Sequence, residues 1–86
     1  MKTLVVYKEH SEHARDVEMF MHDFTKQTGA QLETVNPETP EGAQFCQTYD
    51  IVEYPTLVAL DDEGRMQNMW RGRPLPTISE VSYYAH

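Results

Sequence analysis

The stretch Tyr49–Gly72, YDIVEYPTLVALDDEGRMQNMWRG, decides how this 86-residue chain reads. Pro55 opens a run to Leu60 whose only polar member is Thr56, the pattern of a strand buried on both faces. Asp61-Asp62-Glu63-Gly64 follows as a hairpin turn, in which Gly64 supplies the positive φ that such a turn requires. Met66, Asn68 and Trp70 then alternate with Gln67, Met69 and Arg71, as on a half-wet edge strand.

On the N-terminal side, Thr3–Tyr7 (TLVVY) is a second apolar run and reads as another central strand. Val17, Phe20, Met21 and Phe24 change the period to i, i+3, i+4 and i+7, one apolar stripe on a helix. Ser11 is its natural N-cap, with Glu12 and Asp16 near the positive end of the dipole and Lys26 and Gly29 at the other end. Leu32, Thr34 and Val35 form a short strand, placed at a sheet edge by Gln31 and Glu33 and closed by Asn36-Pro37. Thr39 caps a second helix with Pro40 at its first position, where the missing N–H has no intrahelical partner, and Ala43, Cys46 and Tyr49 share a face at spacing three. Thr77-Ile78-Ser79-Glu80 is a capping box, and Ile78, Val81 and Ala85 are the inner stripe of a closing helix. The element order is βαβαββα.

Fourteen acidic against seven basic side chains give a formal charge of −7, with no basic stripe, so a phosphate backbone is repelled and no nucleic-acid partner is expected. The N-terminal apolar run, Leu4–Tyr7, is too short for a signal peptide or a membrane span, and the expected location is the cytosol. Composition, with 40% apolar and 24% charged residues, is that of a globular chain, and residues 1–86 have room for one domain. The single cysteine, Cys46, excludes an internal disulfide and fits a reducing compartment.

With its aromatic residue, Ile51-Val52, Tyr54-Pro55-Thr56 and hairpin ending at Gly72, the opening stretch resembles the C-terminal half of the thioredoxin fold. The element order is similar to the core shared by thioredoxins and glutaredoxins, without thioredoxin's additional N-terminal strand and helix. The resemblance implies a three-layer α/β/α sandwich around a four-stranded mixed sheet. It also implies a cis Tyr54-Pro55 bond, against the ordinary alternative of a trans proline opening a strand. In that family a Cys-X-X-Cys pair lies between the first core strand and its helix, which here falls on Ser11-Glu12-His13-Ala14. Neither sulfur is present, and the family's buried carboxylate is matched by Val6. Disulfide exchange requires a thiolate, which serine does not provide. The implied groove joins Ser11, Glu12, His13 and Ala14 to Tyr54, Pro55, Gly72 and Arg73, where a partner's extended backbone pairs with the residue before the proline.

Other chemistry is thin. Ser11 with His13 could be a nucleophile and base, but glycine elbow and orienting acid are both missing, and the N-cap reading is favoured. Cys46 reads as a buried small hydrophobe, with a redox role as the alternative. His10 and His13 have H-x-x-H spacing but no third ligand, so neither metal nor cofactor is expected; His22 falls on a polar helix face and His86 at the terminus. The expected function is that of a binding or interaction module with no catalytic residue, taking a protein or peptide partner at the groove, with Tyr54, Arg71 and Arg73 as anchors. The alternatives are an oxidoreductase relying on Cys46 or a partner's cysteine, cations that merely offset an acidic surface, and self-association through an edge strand.

Overall fold

The computed structural model describes residues 1–84; Ala85, expected on the closing helix, and His86 lie outside the described residues. Four strands and three helices follow in the order β1 (Lys2–Val6), α1 (Ala14–Thr28), β2 (Glu33–Val35), α2 (Pro40–Thr48), β3 (Thr56–Leu60), β4 (Met66–Arg71) and α3 (Ile78–Ser82) among the described residues. They form one sheet in the order β2-β1-β3-β4. β1 runs parallel to β2 and antiparallel to β3, and β3 pairs antiparallel with β4. The mixed four-stranded sheet and the βαβαββα order are those read from the sequence.

Two faces follow from the period of two along each strand. Val5, Tyr7 and Leu57 point to one side, where Ala14, Val17 and Phe24 of α1 and Val81 of α3 close over them, with Phe20, Met21, Trp70 and Ile78 at the margin. Leu4, Val6, Val58 and Leu60 point to the other, against Cys46 of α2 and Ile51, with Phe45, Tyr49, Tyr54 and Met69 at the margin. All five residues of β3 are buried, as the uninterrupted run requires of a strand covered on both faces. β2 and β4 are the edges, and a register shift between Ala59 and Leu60 interrupts the β3–β4 ladder.

The helix ends show which local signals survive tertiary structure. Gly29 ends α1 at φ 78°, its N–H bonded to the Thr25 carbonyl at 2.8 Å. Thr39 caps α2 by accepting from Gly42 N–H at 3.0 Å. Thr77 does the same for α3 with Glu80 N–H at 3.2 Å, and its hydroxyl also donates to the Glu80 carboxylate. At its other end α2 stops in a Schellman arrangement. Ile51 N–H bonds the Cys46 carbonyl at 2.8 Å and Asp50 N–H bonds the Gln47 carbonyl at 3.4 Å. The left-handed position is taken by Asp50, at φ 58°, and the turn delivers the chain to Tyr54.

Two expectations are corrected. Ser11 is not the cap of α1: its hydroxyl donates to the Lys8 carbonyl at 2.6 Å and its own carbonyl accepts from Ala14 N–H at 3.2 Å. These turn bonds postpone the helix, whose N-cap is His13 with no side-chain cap bond. Ala43 is exposed rather than on the inner face of α2; Gly42 and Cys46, at spacing four, are buried instead. The reason is steric, because Gly42 lies so close to the chain at Asn36 that a Cβ there would fall 1.7 Å from the Asn36 carbonyl oxygen.

Candidate functional site

The end of the sheet defined by Val6 and Thr56 carries the sequence-derived positions. The Tyr54–Pro55 peptide is cis, as is Arg73–Pro74, which the sequence reading did not anticipate. Pro55 is buried, and its carbonyl accepts from Gly72 N–H at 2.8 Å, so the β3 entrance and the β4 exit are tied together. Gly72 has φ 68°, in the left-handed region, and a Cβ on it would approach the Glu53 carboxylate to 3.2 Å. Thr56 adds a further tie by donating from its hydroxyl to the Glu53 carbonyl at 2.7 Å.

With Pro55 and Thr56 so occupied, Tyr54 is left with its backbone unused. Among the described residues, neither its N–H nor its C=O takes part in a loop or turn hydrogen bond. Its ring is half-buried at the margin of the α2-side core, and the Lys8 ammonium sits over that ring, 5.2 Å from the centroid. Burial, followed by the neighbouring Cys46 thiol, raises the Tyr54 phenol above its ordinary pKa, so it stays a neutral hydroxyl at physiological pH.

His13 anchors the loop that faces this edge. Its ring is 8% exposed, its Nε2 accepts from Lys8 N–H at 3.2 Å, and it meets Tyr7 edge-on with centroids 6.4 Å apart. Burial, then the Arg73 and Lys8 cations, push its pKa below the ordinary value, with Asp16 opposing. A neutral imidazole accepting a backbone N–H is the form these surroundings favour. Arg73 reaches Asp16 on the first turn of α1 at 3.5 Å, joining the segment after β4 to the start of α1.

Of the eight positions taken from the sequence, His13, Tyr54, Pro55, Gly72 and Arg73 are linked by these contacts, directly or through Lys8 and Asp16. Ser11 serves the loop itself, Glu12 is exposed, and Ala14 is buried in the α1 core. Lys8 was missed by sequence reasoning. Its place directly after the apolar run Leu4–Tyr7 was the available signal, since a residue leaving the end of a parallel pair enters the loop that borders such a site. Arg71 is exposed on β4, with its Nε donating to the Met69 sulfur at 3.2 Å. Val6 is fully buried among Leu4, Cys46 and Val58. Cys46 is 7% exposed under the Tyr54 side of the sheet. Among the described residues no group of three or more His, Cys, Asp or Glu side chains is placed to hold a metal ion. No helix there is long and apolar enough to cross a membrane.

A cleft of about 470 Å³ opens at the other end of the sheet, where Lys2 and Leu60 meet Phe45, Tyr49 and Asp61. It shares no residue with the His13–Tyr54–Arg73 set.

Fold and site geometry together define a thioredoxin-like α/β/α fold in a chain with a single cysteine, Cys46. Thioredoxin 1 from the thermophilic eubacterium Thermosipho africanus TCF52B superposes with a TM-score of 0.68 at 18% identity, covering 98% of this chain and 89% of that one. At that identity the likeness is one of fold. No protein-family model and no curated protein matches the sequence.

Proposed function

We propose that this chain is a non-catalytic, single-domain thioredoxin-like module that takes an extended peptide segment of a protein partner along Tyr54. The observation that carries this reading is the pair of unused backbone groups on Tyr54, presented beside its own ring and the Lys8 ammonium, with Arg73 following the Gly72 that is tied to Pro55. An extended peptide satisfies a free N–H and C=O by adding as a short strand, and flanking side chains set its preference. Here the ring accepts an apolar or aromatic side chain, and Lys8 and Arg73 favour an acidic one. Single-cysteine usage supports a reducing compartment such as the cytosol.

The alternative, a thiol–disulfide oxidoreductase using Cys46 or a partner's cysteine, has one observation in its favour: the Cys46 thiol lies against the Tyr54 phenol and so close to the same edge. Its burial weighs against it, because exchange requires an accessible thiolate.

The binding reading is tested by selecting peptides from a random display library on the immobilised protein and measuring the enriched sequences by calorimetry. The expected result is enrichment of sequences with an acidic residue beside an apolar one, weakened about fivefold or more by Tyr54→Ala and by Arg73→Glu. A library that yields no binder, or binders indifferent to both substitutions, would overturn it.

A further inference from the structure

A second place on the molecule has the geometry of a binding site and is independent of the Tyr54 edge. Asn68 and Trp70 lie two apart on β4 and so face the same side of the sheet. Glu80 precedes Tyr83 and Tyr84 by three and four residues, which brings all three to the same side of the α3 turn. The five residues line one recess of about 230 Å³. Its walls stand at steep angles: Trp70 meets Tyr84 at 69° with centroids 5.6 Å apart, and Tyr83 meets Tyr84 at 81° and 5.0 Å.

Hydrogen bonds between the walls and to the cap of α3 hold them in place. Asn68 Nδ2 donates to the Tyr84 hydroxyl at 3.3 Å, and the Thr77 hydroxyl donates to the Glu80 carboxylate at 3.1 Å. Among the described residues Glu80 forms no ion pair. Tyr83, the first of two adjacent tyrosines, is 72% exposed, which core packing does not explain. Three aromatic rings packed edge to face, with a carboxylate that no cation neutralises among the described residues, bring π surface and a negative charge to one small volume.

We infer that this corner binds a methylated ammonium group. Its volume is below that of pockets for drug-sized ligands, which suits a compact headgroup. A trimethylammonium cation offers methyl groups to the ring faces and loses little hydration on entry, whereas a bare ammonium would have to give up strongly held water for which the corner offers few acceptors. The same chemistry occurs in choline-type small molecules and in trimethylated lysine side chains.

Trp70 is the only tryptophan in the chain, so its fluorescence reports on the site without labelling. The experiment titrates the intact protein with choline, with a trimethyl-lysine amide, and with 3,3-dimethylbutanol, the neutral isostere of choline, and repeats each titration by ligand-observed saturation-transfer NMR. Saturable binding of the cations but not of the isostere is expected, weakened about 2- to 5-fold in Tyr83→Ala and also weakened in Glu80→Gln. Tighter binding of choline or of the lysine derivative identifies the source of the group. Both replaced side chains are exposed, and an unchanged thermal midpoint shows that the variants fold. Absence of saturable binding by both methods, equal binding of the isostere, or indifference to both substitutions would overturn the inference.

Discussion

His13 shows how one side chain is fixed by its neighbours. Its Nε2 accepts a backbone N–H, and burial together with Arg73 and Lys8 disfavours the imidazolium. The unfolded chain therefore binds this proton more readily than the folded one. By linkage, stability is full above the unfolded pKa of about 6.5 and is lost as pH falls towards the lower folded value. The thermal midpoint should fall between about pH 7.5 and 5.5, and His13→Gln, whose amide oxygen can still accept the Lys8 N–H, should flatten that slope. Equal slopes in parent and variant would assign the dependence elsewhere. Cys46 is a second case. At 7% exposure, packed with Leu4, Val58 and Ile51, its thiol should react with a maleimide far more slowly in the native protein than in denaturant. Rapid native labelling would favour the oxidoreductase alternative.

At the scale of elements, the sequence is readable wherever a local pattern and the tertiary fold ask for the same thing. The runs Leu4–Tyr7 and Thr56–Leu60 are buried throughout, and the stripe of α1 faces the core, because burial on two faces or on one stripe leaves a direct mark on composition. Thr39-Pro40 and Thr77 to Glu80 act as helix starts because their bonds are made within four residues. Ser11 failed for the converse reason: a nearby carbonyl took its hydroxyl, and the loop bonds postponed the helix. The inner face of α2 was misread because Gly42 is buried by close approach to Asn36 rather than by apolar character, which no periodicity reports. That approach gives a test. Glycine to alanine in a helix is ordinarily worth up to about 1 kcal/mol of stabilisation. Gly42→Ala should instead destabilise by at least about 1–3 kcal/mol, since the obstructing atoms are backbone and cannot rotate away. Chemical denaturation measures the sign; a stabilised variant would contradict the packing of α2 on the Asn36 turn.

At the scale of the whole molecule, the fold assembles the Tyr54 edge from the end of β1, the start of α1, the loop before β3 and the segment after β4. The positions drawn from family resemblance fall at these places, but the contacts that connect them, Lys8 over Tyr54 and Arg73 to Asp16, join residues tens of positions apart. Such contacts depend on the order of strands in the sheet and leave no spacing in the sequence. The aromatic corner of Trp70, Tyr83 and Tyr84 was illegible for the same reason. Net charge acts at this scale too: on a chain of formal charge −7, Arg73 is paired with Asp16, while Lys8 lies over the Tyr54 ring and forms no ion pair among the described residues. The most direct test of the binding account is a ¹H–¹⁵N correlation spectrum of the labelled protein titrated with the tightest peptide from the display selection. The largest shift changes should fall on the amides of Lys8, His13, Tyr54, Gly72 and Arg73. If they fall instead along β2, at Phe45, Tyr49 and Gly64, or around Trp70 and Tyr83, the peptide binds elsewhere and the Tyr54 edge is not the site.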